Sequence, residues 1–134
     1  MDFDIIVNAK DETGTSIIYK GKSPMNIVFN AVGSWRANPG FNEWPADGAP
    51  QTDPKGREIQ KICIHKEYNA FCLLVRLKHN STEFWRPFVH REDRYEATLV
   101  VKQGDEVQLV MNDAPNGYGD NSGQMRVSVE LKPT

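Results

Sequence analysis

No apolar run in this chain approaches the ~18–20 residues that a membrane-crossing helix needs. Nor is there a Lys/Arg-rich amphipathic stretch of the kind that lies on a membrane surface. An excess of one charge is missing too: sixteen basic residues stand against eighteen acidic ones, for a net charge of −2. That balance withholds the attraction on which nucleic-acid binding usually depends. Cysteine is scarce, with only Cys63 and Cys72. A disulfide-built scaffold is thereby excluded, and buried free thiols packing as small hydrophobes are expected. The start, Met1-Asp2-Phe3-Asp4, is acidic and leads straight into Ile5-Ile6-Val7. It has neither the basic n-region nor the small-residue cleavage site of a secretory signal. The expected location is the cytoplasm, or outside the cell after release without an ordinary signal peptide.

Apolar residues nowhere recur at helical spacing for long enough to predict a helix. Short period-2 segments take their place. Gln124-Met125-Arg126-Val127-Ser128-Val129-Glu130-Leu131 alternates polar and apolar throughout, as a half-buried strand should. Further strands are expected at 3–8, 16–20, 25–31, 58–65, 71–77, 83–89, 95–101 and 106–112. Their β-branched and aromatic side chains suit a pleated surface. Turn signals separate them, among them Asp11-Glu12-Thr13-Gly14, Lys55-Gly56 and Gln103-Gly104-Asp105. With 134 residues the chain fits one domain, 1–134, and this rhythm of strands predicts an all-β sandwich or barrel. One long irregular stretch, 38–53, is rich in Pro, Gly, Asn and Asp and holds Trp44. Loops that long in a compact domain tend to be functional or mobile.

The segment from Asp113 to Asn121 carries the most chemistry. Two carboxylates (Asp113, Asp120) and two amides (Asn116, Asn121) interleave there with Pro115, Gly117 and Gly119. A hard cation such as calcium takes six to eight oxygens from carboxylates, amides and backbone carbonyls. Glycine lets the backbone curl so that its own carbonyls can join. The same residue types also build polar surface turns, and composition alone leaves both readings standing. An EF-hand is excluded, because Pro115 occupies the third ligand position and Gln124 the twelfth.

The run Asn112-Asp113-Ala114-Pro115 through Tyr118-Gly119-Asp120-Asn121-Ser122-Gly123 resembles the PA-I type galactophilic bacterial lectins, the LecA family. Further matches follow in chain order: Thr15-Ser16-Ile17-Ile18-Tyr19, Trp35, Trp44, Cys63 and Ala70-Phe71-Cys72. The resemblance spans nearly the whole chain, with diverged stretches at 45–61 and 78–93. It implies a jelly-roll-type β-sandwich that binds one calcium ion and holds galactose through it. Carried over residue by residue, the implied ion ligands are Asp113, the Asp120–Asn121 pair, and the backbone carbonyls of Gly117 and Asn38. Asp120 stands where the family has Asn, and Asn38 where it has Tyr. Asp113, Ala114, Asp120 and Asn38 would also face the sugar. The family's sugar-contacting His in the first long loop has no counterpart, and Gln51, Asp53 or Lys55 is the expected replacement.

Other features have plainer readings. Trp35 and Trp85 fit a core, whereas Trp44 in the polar loop fits either a core or a sugar-stacking surface. Cys63-Ile64-His65 with Cys72 lacks the spacing of a zinc site. His90-Arg91-Glu92-Asp93 has none of a kinase's companion motifs and reads as a solvated turn. Asn80-Ser81-Thr82 is a formal glycosylation sequon, which matters only in a secretory pathway. No nucleophile elbow, triad or phosphate loop is present, so no enzyme is expected. The expected function is a calcium-dependent lectin for galactosides or a related sugar. Multivalent presentation would favour a homo-oligomer. The alternative is a lectin-like interaction domain that keeps the fold and binds no free sugar.

Overall fold

In the computed structural model, residues 3–78 and 85–134 are described. The strongest alternation in the sequence becomes the spine of the fold. β9 (Ser122–Pro133) buries Met125, Val127 and Val129 and exposes the residues between them. It lies between β1 (Phe3–Asn8) and β3 (Met25–Arg36), antiparallel to both. β7 (Arg94–Val101) and β6 (Val89–Arg91) complete a five-stranded sheet in the order β1-β9-β3-β7-β6. A second sheet runs β2-β8-β4-β5, formed by β2 (Thr15–Ile18), β4 (Leu73–Leu77), β5 (Arg86–Pro87) and β8 (Glu106–Met111).

The two sheets form an all-β, jelly-roll-type sandwich. Ile27, Phe29, Leu99 and Val127 of the first sheet share one core with Leu73, Val75, Leu109 and Met111 of the second. The second sheet is also buried on part of its outer face. Leu74 and Val110, a register pair, are at most 1% exposed. Arg76, two residues on and so on the same face, stacks over the Trp85 ring at 4.4 Å, and the His65 ring lies 5.4 Å from Trp85. The irregular segment 61–72 therefore lies against this face. Cys63 and Cys72 are buried free thiols, and burial pushes the Cys63 thiol up to about 12.

One expected strand is replaced by other structure. Residues 58–65 are not extended: a short helix, α1 (Pro54–Gln60), is followed by turns. Its start is written in Asp53-Pro54. The Asp53 carboxylate accepts the Gly56 N–H at 2.8 Å, and Pro54 occupies the first helical turn, where a missing N–H costs nothing. Ile62, 56% exposed, lies in the turns that follow the helix, with Cys63 buried beside it. The expectation that no helix occurs is corrected with it. The expected strand at 83–89 is described only from residue 85, where it reduces to the short β5, and Asn80-Ser81-Thr82 lies outside the described residues.

Candidate functional site

The loop between β8 and β9 is pinned from inside by a phenol. Tyr118, 2% exposed, donates its hydroxyl hydrogen to the Met111 carbonyl at 2.7 Å, and its oxygen accepts the Asp113 N–H at 3.3 Å. Turn hydrogen bonds from Gly117 N–H to the Ala114 carbonyl (2.9 Å) and from Asn121 N–H to the Tyr118 carbonyl (3.1 Å) curl the chain back. Asn116 adopts φ 65°, a conformation that Asn tolerates better than most residues, and its N–H donates to the Glu12 carboxylate at 3.2 Å. A Cβ placed on Gly117 would lie 3.1 Å from the Ala114 carbonyl oxygen and 3.7 Å from Asp113 Oδ1. Gly117 thus sits directly against the Asp113 carboxylate.

This curl leaves two buried oxygens with no partner. Asp113 is 4% exposed; its Oδ1 accepts the Ala114 N–H at 2.7 Å, while its Oδ2 accepts nothing. Asn121 is fully buried and donates through Nδ2 to the Ala9 carbonyl at 2.8 Å. That bond fixes which end of the amide is nitrogen, so its Oδ1 is the unpartnered end. Burial holds the Asp113 carboxyl above the ordinary carboxylate range. The Ala114 N–H and the Asn121 side chain oppose the shift, and the Asp120 charge adds to it. Asp113, Asn121 and Asp120 are therefore electrostatic neighbours, with Asp120 exposed.

Unsatisfied buried oxygens are costly unless something compensates them. A carboxylate oxygen, an amide oxygen, a second nearby carboxylate and curled backbone form a donor set that suits a hard cation. Among the described residues no three His, Cys, Asp or Glu side chains gather as a metal centre. An ion here would have to draw on amide and carbonyl oxygens as well, as calcium does.

The first loop approaches the same end of the sandwich. The β3–β9 register ends at Arg36↔Ser122, so Ala37 and Asn38 leave the sheet beside Asn121 and Asp120. The Asn38 carbonyl accepts the Phe41 N–H at 3.0 Å, and its side chain accepts the Gly40 N–H at 2.8 Å. The Phe41 ring meets Phe71 edge-on at 5.8 Å, and the Phe71 N–H reaches the Asn112 carbonyl at 2.7 Å. Farther along, a cleft of about 280 Å³ is lined by residues that include Phe41, Trp44, Asp53 and Lys55. Lys55 donates to the Gly40 carbonyl at 3.0 Å, and Trp44 is half-buried, its backbone bridged to that of the fully buried Trp35.

A family model for PA-IL-like proteins matches residues 2–133. The chain belongs to that family. A solved structure described as "EclA N-terminal domain; PllA-like lectin" is similar to it, at 19% identity and a TM-score of 0.61. The match covers 96% of this chain and 95% of that one, and it speaks to the fold alone. No curated protein sequence matches.

In this PA-IL-like chain, Asp113, Gly117, Asp120 and Asn121 come together in one loop, with Ala114 bonded to Asp113 and Asn38 leaving the sheet alongside. Gln51 is engaged elsewhere: its amide donates to the side chains of Gln60 and Asn69. Asp53 lines the cleft, but its Oδ2 is committed to capping α1. The sequence reading named Glu12 and Asn112, in a turn and at the start of the lectin-like run, but missed what each of them contacts. Glu12 lies 104 residues from its partner Asn116, a separation that no local pattern reveals. Asn112 was legible as the final residue of an expected strand and the first of the lectin-like run, while its bonds to residues 65–69 were not.

Proposed function

We propose that this protein is a calcium-dependent lectin that binds galactosides or a related sugar. The observation that supports this best is the pair of buried, unpartnered oxygens, Asp113 Oδ2 and Asn121 Oδ1, in one loop with Asp120 and Gly117. Asp113, Asp120 and Asn121 would hold the ion through side chains, and Gly117 and Asn38 through backbone carbonyls. Calcium bound there supplies a coordination sphere in which neighbouring sugar hydroxyls can replace water. The chain's own groups would then discriminate the sugar: Asp113 and Asp120 as hydroxyl acceptors, Asn38 and Ala114 at the rim, and the cleft beside Trp44 beyond it.

Membership of the PA-IL-like family supports a binding role over catalysis. Asp113 and Asp120 stand in one loop with an amide and backbone curled against them, which favours an ion cage over a glycosidase pair. A second reading draws on Gln51 and Asp53, both occupied by intramolecular bonds. A chain in which neither replaces the missing His would be a lectin-like interaction domain that binds no free monosaccharide.

Elemental analysis, followed by a glycan array with and without chelator, separates these readings. Bound calcium with chelator-sensitive glycan binding is the expected result. Calcium with no glycan bound favours the interaction domain, and absence of both refutes the proposal.

A further inference from the structure

Asn112 precedes the ion loop and is fully buried. Its side-chain oxygen accepts the His65 N–H at 3.2 Å. Its Nδ2 lies 3.0 Å from the carbonyls of His65 and Asn69 and 3.4 Å from that of Tyr68. A primary amide has two donor hydrogens and an acceptor oxygen, and every side-chain hydrogen bond that Asn112 makes goes to residues 65–69, more than forty positions away. All of these partners are backbone groups. Residues 61–72 form neither helix nor strand, and buried backbone in such a segment needs partners from elsewhere. The Asn112 side chain supplies the His65 N–H with an acceptor and the His65 and Asn69 carbonyls with a donor, beside local turn bonds such as Tyr68 N–H to the His65 carbonyl.

The same segment grips the next residue. The Ile64 N–H donates to the Asp113 carbonyl at 3.0 Å. With its own N–H on Tyr118 and its Oδ1 on the Ala114 N–H, Asp113 keeps only Oδ2 free toward the loop. Where residues 64–69 lie therefore bears on how Asp113 is turned, and Asn112 is the group next to Asp113 in the chain that ties both ends of this segment, His65 and Asn69, to it.

We infer that Asn112 is the positioning residue of the ion site, a clip whose amide fixes segment 64–69 and through it the direction of the Asp113 carboxylate. This inference rests on the calcium reading above. Groups that orient metal ligands from behind commonly cost about 10–100-fold in metal affinity when removed.

The test uses the whole chain with Asn112→Ala, and Asn112→Ser as a smaller perturbation. Metal-free folding is followed by circular dichroism, and calcium affinity is measured in the cold, where the variants are folded, by competition with a chelating dye. A folded variant that binds calcium at least about tenfold more weakly than wild type supports the assignment, with Asn112→Ser expected between wild type and Asn112→Ala. A variant with a lower melting temperature and unchanged calcium affinity has a merely structural Asn112, which overturns it. Failure of both variants to fold even in the cold overturns it as well. Wild-type protein that binds no calcium refutes the ion reading itself and this inference with it. Weak binding confined to the variants bears on Asn112 alone.

Discussion

Replacing Asp113 with Asn is the sharpest single perturbation, because it keeps the shape of the loop and removes one charge. Burial raises the Asp113 pKa above its ordinary value. A carboxyl whose folded pKa is raised favours the fold while protonated, and that contribution is lost as pH rises through the folded pKa. At neutral pH the ionised Asp113 is therefore a cost to the metal-free chain, offset only when a cation binds. Calcium at about 100 times its Kd would stabilise the wild type by about 2.7 kcal/mol. Unfolding entropy for a domain of this length converts that into a melting shift of about 10 °C. Asp113→Asn should show two effects in thermal unfolding at pH 7. Without metal it should melt no lower than wild type under chelator, and its melting temperature should not move when calcium is added. An undiminished calcium shift in the variant would show that Asp113 holds no ion. A metal-free variant several degrees less stable than metal-free wild type would show that the ionised carboxylate is no burden.

Lowering the pH should weaken calcium binding through protonation of Asp113, starting above the ordinary carboxylate range because its pKa is raised; calorimetry across that range checks this. Glu12→Ala removes the acceptor of the Asn116 N–H, an exposed bond worth about 0.5–1 kcal/mol, and should weaken calcium binding about threefold by dye competition, with Glu12→Gln retaining most of the affinity. Asp53→Ala should lower stability by about 1 kcal/mol through loss of the α1 cap, while Asp53→Asn keeps the cap. Reduced sugar affinity in the stable Asp53→Asn variant, read by calorimetry, would therefore mark a direct sugar contact.

Strands were legible where one face is dry and the other wet. β9 carries that alternation from Gln124 to Glu130, because it lies in a sheet with one face on the core and the other in solvent. The segment 58–65 misled because its apolar residues, Ile59, Ile62, Cys63 and Ile64, follow neither period cleanly. The decisive local signal, Asp53-Pro54 at a helix start, lies upstream of it. That Asp113, Gly117, Asp120 and Asn121 share one loop was legible because a single contiguous stretch supplies all four. The contacts of Glu12 and Asn112 were not, since each acts on backbone that the fold brings close from far away in sequence.

On the calcium-lectin reading proposed above, the work of recognition is divided unequally. On the ion side, each group has a fixed neighbour: Tyr118 inside, Glu12 outside, Asn112 behind, with two buried oxygens left over. On the sugar side, the stretch from Gly40 to Lys55 supplies an open cleft with aromatic walls, and Asp53 within it is already bonded. Plain galactose would thus be held by the ion and the loop, with few supporting hydrogen bonds, each worth roughly 0.5–1.5 kcal/mol. An aromatic group attached to the sugar could add contact with Trp44 and Phe41 in that cleft. Titration calorimetry in saturating calcium should accordingly rank an aryl galactoside well above free galactose, and Trp44→Ala should narrow that gap without weakening free galactose. Equal affinity for the two ligands would remove the cleft from the binding surface. Tight binding of free galactose would mean that another group has taken over the missing histidine's part.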